Sequence, residues 1–237
     1  MKETIVSIHQ PAYFPRLHYF ARIMSSDVFI LLDDVQLSRK GDQARTHLVS
    51  KDGLIRLSVP LTGSHKVLLN EVDYANYHWI VKHKKSFRSI YGNRSPFWID
   101  MITWFLDNVG ENNIKFSEMC EMFIKYMVNV FDWKGTLYVS SKDKELHSTQ
   151  GLPPQERVLK LTQLVGGTVY QCGESAFNNY MEEDLFLNAG VDIKIQNWKP
   201  FVYPQLNKEF IPNASVVDAL LMTDDEDLVK NELMRED

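Results

Sequence analysis

Thr4-Ile5-Val6-Ser7-Ile8, running directly into His9-Gln10-Pro11-Ala12-Tyr13-Phe14-Pro15, is the stretch whose reading decides the fold. The first five residues are rich in β-branched side chains and read as a short strand. Pro11 and Pro15 remove backbone donors and fix φ, so that strand must leave through a stiff, extended loop. After Pro15 the apolar positions Leu17, Phe20, Ala21 and Met24 recur at helical spacing. Val28-Phe29-Ile30-Leu31-Leu32 then forms a second apolar run that stops at Asp33-Asp34. A strand, loop, helix and strand in this order pair their strands in parallel with a right-handed crossover. His9 and Asp33-Asp34 are thereby expected at the same carboxyl edge of one sheet, where ligands of open α/β folds bind.

The chemistry expected there follows from the residue types. His9 supplies a general base or a phosphate-directed donor, Gln10 hydrogen-bonds in both directions, and Asp33 or Asp34 orients the imidazole or holds Mg²⁺. A satisfied histidine beside a helix-capping aspartate in an ordinary turn is the competing structural reading.

The same residues carry a resemblance. His9-Gln10-Pro11-Ala12-Tyr13-Phe14-Pro15, Tyr19-Phe20, Ser26-Asp27-Val28-Phe29 and Leu32-Asp33-Asp34-Val35-Gln36 together resemble the opening of the WbqC-like family of bacterial proteins. The chain departs from that pattern at Arg16 and His18, where the family has an aromatic residue and a glycine. It departs again at Ala44, where an asparagine precedes the arginine that stands here as Arg45. The resemblance continues through Trp79, Lys82-His83, Tyr91 and Pro96-Phe97, then Tyr203-Pro204-Gln205, Ser215 and Asp218. It implies a role around surface-polysaccharide, O-antigen-type gene clusters. The activity implied is a transferase acting on a nucleotide-linked sugar, with acyl or aminoacyl transfer to a sugar amine as the reaction. On that reading His9 is the base and Asp33 its orienter, while Gln10, Tyr13, Asp34, Gln36, Arg45, Lys82, His83, Ser175, Tyr203 and Gln205 bind substrate. A nucleotide substrate would bring Mg²⁺ with it; no dedicated metal site is expected. Pro15-Arg16-Leu17-His18 ahead of a helix also resembles the opening of the HIGH-motif nucleotidylyltransferases, which gives a second enzyme reading. A sugar-nucleotide-binding protein without catalysis is the third.

Composition sets the outer bounds. At 237 residues and 44% hydrophobic the chain can bury a sizeable core, most simply as one α/β domain over residues 1–223 with an acidic tail over 224–237. A net charge of -5 argues against nucleic-acid binding by bulk electrostatics. Cys120 and Cys172 carry no motif and are expected as buried free thiols in a reducing compartment. No signal-peptide pattern and no apolar window of about 20 residues is present, which leads to the expectation of a cytoplasmic protein.

The remaining elements follow from periodicity. Lys51-Asp52-Gly53 between alternating runs predicts a β-hairpin. A helical insert is expected over about 76–131, opening with a helix at 76–91 whose Lys82, Lys84, Lys85 and Arg88 form the most basic segment. Strands and helices then alternate from residue 136 to 195, so the fold class expected is α/β, a mostly parallel, Rossmann-like sheet flanked by helices. Gly173-Glu174-Ser175 opens a predicted helix and offers a weak phosphate site at Ser175. Ser215 and Asp218 read as a capping box. Tyr203 and Gln205, which capping does not explain, are assigned to a wall facing His9.

Overall fold

A computed structural model describes residues 3–38, 41–63 and 67–235. Arg39 and Lys40 of the polar loop after Gln36 lie outside the described residues. Five parallel strands form one sheet: β1 (Ile5–His9), β2 (Val28–Leu31), β5 (Thr136–Val139), β6 (Val169–Cys172) and β7 (Asp192–Ile195). The spatial order is β5-β2-β1-β6-β7. Counted along the chain, the sheet strands therefore run third, second, first, fourth, fifth, the order of a doubly wound nucleotide-binding sheet, and the order reverses between β1 and β6. Val6 stands opposite Val28 and His9 opposite Leu31, while Ser7 stands opposite Gln171 on the other flank. The expected Rossmann-like α/β class is thus the observed one.

The two faces of the sheet bury different cores. Val6, Ile8, Val28, Ile30, Tyr170 and Cys172 face one cluster together with Leu146, Leu159, Leu161 and Phe186. These last four come from α5 (Lys144–His147), α6 (Pro154–Leu164) and α8 (Glu183–Asn188). Phe29 and Leu31 face the larger cluster, built on α1 (Leu17–Met24), α4 (Phe116–Val130) and the helices α2 (His78–Tyr91) and α3 (Pro96–Glu111). Alternation along β1 and β2 therefore decides which side chains reach α1, and His9 falls on the α1 side.

The hairpin forms as its signal predicts. β3 (Arg45–Ser50) pairs antiparallel with β4 (Gly53–Ser58), Ser50 opposite Gly53, and Gly53 takes φ 110, a conformation open to glycine at no steric cost. The helix expected around 178–188 is divided into α7 (Glu174–Tyr180) and α8, and Ser140 begins a 3₁₀ turn rather than ending β5. The acidic tail forms α10 (Glu226–Met234) after α9 (Val216–Thr223), and Val229 and Leu233 of α10 are buried. Both cysteines are free and buried. No helix among the described residues is long and apolar enough to cross a membrane.

Candidate active site at the carboxyl end of β1

The loop that leaves β1 is over-determined. Phe14 adopts φ 41, a left-handed conformation that costs a non-glycine residue on the order of 1–3 kcal/mol. Its ring is buried against Phe123 at 4.6 Å between centroids, and its carbonyl accepts from Thr46 Oγ1 (2.9 Å) and Ser215 Oγ (2.8 Å). Tyr13 N–H donates to the Gln43 carbonyl (2.7 Å), which fastens the same loop to the segment ahead of β3. These anchors hold open a cavity of about 420 Å³. His9, Gln10, Arg16, His18, Gln43 and Arg45 line it, together with Asp42 and Ser38.

Inside the cavity the tautomers of two histidines are set by their partners. His9 Nδ1 lies 3.1 Å from the Gln10 carbonyl, which can only accept, so Nδ1 carries the proton and Nε2 keeps a lone pair. The same carbonyl accepts from Tyr19 Oη (3.0 Å), and the Tyr19 ring meets the imidazole edge-on at 4.7 Å. His18 Nδ1 lies 3.0 Å from Asn213 Oδ1, an atom that also accepts from the His18 backbone N–H at 3.1 Å. It is therefore the amide oxygen, and His18 too is protonated at Nδ1 with Nε2 as acceptor. Burial, and then the Arg22 cation, pull the His9 pKa down to about 3; burial pulls that of His18 down to about 4. Both rings are neutral at pH 7.

The cations come from two sides. Arg16 Nη2 donates to Asp42 Oδ2 (3.0 Å) and to His47 Nε2 (3.1 Å), while its Nε is buried without a partner. Arg45 Nη1 donates to the Gly41 carbonyl (3.2 Å). Arg22, one turn after His18 on α1, is 9% exposed and donates through Nε to Gln196 Oε1 (3.0 Å). Gln196 in turn donates to the His18 carbonyl. Gly173, just past β6, lets this guanidinium approach, since a Cβ there would stand 2.6 Å from Arg22 Nη2. Arg22 thus spans the point where the strand order reverses. Gln43 Nε2 donates to Gln10 Oε1, and Gln43 Oε1 is buried without a partner.

Of the residues predicted from sequence, His9, Gln10 and Arg45 meet here and the others do not. Asp33 does not orient His9: its carboxylate accepts from Ser140 Oγ (3.0 Å), Ser141 N–H (3.0 Å) and Ser141 Oγ (2.6 Å) at the end of β5. Asp34 is taken by Ser140 Oγ (2.6 Å), Arg157 Nη2 (2.6 Å) and His147 Nδ1 (3.0 Å). Burial pushes the Asp34 carboxyl up, but these hydrogen bonds and the Arg157 charge outweigh it and leave the pKa below the usual carboxylate value. Among the described residues no group of three or more His, Cys, Asp or Glu converges on a cation site. Gln36 is exposed in a bridge to Leu68.

Tyr13 and His83 are partners in the interior, Oη to Nδ1 at 2.9 Å, packed with Trp79. Lys82 is exposed beside a separate depression lined by Arg56, Ser58, Trp79 and His83. Lys84 pairs with Asp107, and Arg88 reaches Asp100 at 4.0 Å, so the basic helix serves its own surface. Ser175 is exposed in the first turn of α7. Tyr203 Oη donates to Asp218 Oδ2 (2.7 Å), and Gln205 folds back on the backbone of Ile211, accepting at 2.7 Å and donating at 2.8 Å. The expected wall is therefore internal scaffolding. Ser215 caps α9 through Val217 N–H. The Asp218 carboxylate goes to Tyr91, Tyr203 and the Val49 N–H instead of closing a capping box.

A doubly wound α/β protein with a histidine- and arginine-lined cavity at the end of its first strand is the class that fold and site define. The family model described as the WbqC-like protein family matches residues 10–230, and the chain belongs to that family. It is also similar to the uncharacterized protein Rv1507c of Mycobacterium tuberculosis, 24% identical over 223 residues that cover 91% of this chain and 92% of the relative.

Proposed function

We propose that the protein is a cytoplasmic transferase of surface-polysaccharide biosynthesis that acylates the amine of a nucleotide-linked sugar. The observation that carries this reading is the pairing, in one cavity, of a neutral His9 whose Nε2 holds a lone pair with the guanidinium groups of Arg16 and Arg45. The arginines suit a diphosphate, which they hold by charge-assisted hydrogen bonds. The amine nitrogen attacks the carbonyl carbon of an activated acyl or aminoacyl donor. A C–N bond forms, and the donor's leaving group departs with the bonding electron pair. His9 Nε2 takes the proton from the newly bonded nitrogen, whose N–H is far more acidic than that of a free amine, so a weakly basic imidazole suffices. Among the described residues that line the cavity none is a cysteine, and the transfer is written as direct, within a ternary complex.

His18 in the same cavity is the observation that favours a nucleotidylyltransferase instead. That reading is weakened by the first N–H groups of α1, which point to Ala214 O and Asn213 Oδ1 and not to a phosphate, and by an imidazole held neutral. Incubation with UDP-glucosamine and an acyl thioester, followed by mass spectrometry, tests the proposal. His9→Ala should abolish acyl transfer with the melting temperature held within a few degrees; undiminished transfer by the variant contradicts it.

A further inference from the structure

The cavity at the end of β1 and the depression beside Lys82 are joined by a third hollow, of about 280 Å³. It shares Ser38, Gly41 and Arg45 with the cavity, so these residues form the wall between the two. It shares Ser58 with the Lys82 depression, which holds about 430 Å³. Arg45 and Ser58 stand opposite each other at the open end of the hairpin, and Arg56 lies two residues further along β4, about 7 Å away. The middle hollow has an apolar lining of Leu37, Ala44, Val59 and Leu61, with Ser38 and Ser58 exposed beside it. The far depression takes Arg56 from β4 and Lys82 from α2, both exposed, together with Asn76 and Ser86. Among the described residues lining these two hollows there is no aspartate or glutamate, although the chain carries a net charge of -5. The His83 ring, bonded to Tyr13 Oη, also donates to the Ser58 carbonyl, which ties the boundary between them to the loop that shapes the cavity. The track therefore fits a ligand with an anion at one end, an arm of mixed apolar and amide character, and its reacting group at the other end.

We propose that the acyl donor is a phosphopantetheine thioester laid along this track, its phosphate held by Arg56 and Lys82, its dimethyl and amide arm in the middle hollow, and its thioester at the Arg45 wall of the cavity. The proposal rests on the acyl-transfer reading for its chemistry, but binding of the arm is tested apart from it. In the transfer the amine forms the C–N bond, the C–S bond breaks, and the sulfur departs with the electron pair. The proton taken by His9 passes to that sulfur, so an amide and a free thiol result. Calorimetry with phosphopantetheine and with pantetheine, which lacks the phosphate, is the test. Phosphopantetheine should bind, and pantetheine at least roughly tenfold more weakly, the scale of one lost charge-assisted hydrogen bond. The double change Arg56→Ala, Lys82→Ala, at two exposed positions, should erase that difference. Ala44→Leu, which fills the middle hollow, should weaken both ligands with the melting temperature held within a few degrees. No binding of phosphopantetheine, equal binding of the two compounds, a difference that survives the double change, or no effect of Ala44→Leu overturns the proposal. Coenzyme A in the same titration separates the sources: affinity equal to that of phosphopantetheine assigns recognition to the arm a carrier protein also presents, and tighter binding assigns it to the free cofactor. Should phosphopantetheine bind in this way while no thioester acylates UDP-glucosamine, the transferase reading fails and the track stands. Should a thioester without the phosphate acylate UDP-glucosamine equally well, unaffected by the double change, the transferase reading stands and the track fails.

Discussion

Ser215 Oγ donates to the carbonyl of Phe14 at 2.8 Å across 201 positions of sequence, and this contact joins the start of α9 to the loop that shapes the cavity. The same oxygen caps α9 by accepting from Val217 N–H. Ser215→Ala removes both roles at once and leaves one buried carbonyl contact of Phe14 unmade. A loss of about 1–3 kcal/mol is expected, read as a lower midpoint in urea unfolding. Because Thr46 still holds the Phe14 carbonyl, the variant should fold. An unchanged midpoint contradicts this role for Ser215 in fixing the loop.

Asp34 and Arg157 form an ion pair in which neither side chain is more than 7% exposed. Asp34→Asn leaves the Arg157 cation buried without a carboxylate, and breaking such a pair costs about 3–5 kcal/mol. The equivalent change at Asp42, whose side chain is 50% exposed in its pair with Arg16, should cost well under 1 kcal/mol. Chemical unfolding of both variants checks the contrast; similar losses contradict the structural role given to Asp34.

Much of this arrangement was legible in the sequence, and the limits are physical. The β-branched run at 4–8, the helical spacing after Pro15 and the apolar run at 28–32 were enough to place β1, α1 and β2 in parallel. They could not say that β2 would also pair with β5, which turns Asp33 toward Ser140 and Ser141 and away from His9. Tyr203 and Gln205 looked too polar for a connection, yet a buried carboxylate and an unpaired loop backbone require such partners. Arg16 and His18 stood out as departures from the family pattern, and both line the cavity. Arg22 gave only the signal of a cation on the buried face of a helix, four residues after His18.

Acid should destabilise the fold from near pH 6.5 downward. Burial first, with the Arg22 charge second for His9, holds the folded pKa of His9 at about 3 and that of His18 and His83 at about 4. The unfolded chain, with histidines near 6.5, therefore binds more protons below that pH, and stability falls as the pH is lowered through the window. Asp34, whose pKa is depressed, adds loss at still lower pH, while Asp218, raised by burial, acts in the opposite sense. Thermal melts from pH 7.5 to 5 should show a declining midpoint; a flat profile contradicts neutral, buried histidines.

On the proposed reading Arg16 and Arg45 hold the phosphates of UDP, so its binding should weaken with added salt. Arg16→Ala should raise the dissociation constant roughly tenfold, the scale of one lost charge-assisted hydrogen bond. Lys82→Ala, on a separate depression, should leave the constant unchanged. Calorimetry at two ionic strengths separates the cases, and a Lys82 effect with no Arg16 effect moves the site to α2.

A crystal structure of the protein with UDP-glucosamine tests the central claim most directly. The diphosphate should lie between Arg16 and Arg45, with the amine within about 3 Å of His9 Nε2, the reach of a hydrogen bond. Density for the nucleotide in the Lys82 depression, or at Ser140 and Ser141 beside Asp33, would contradict it.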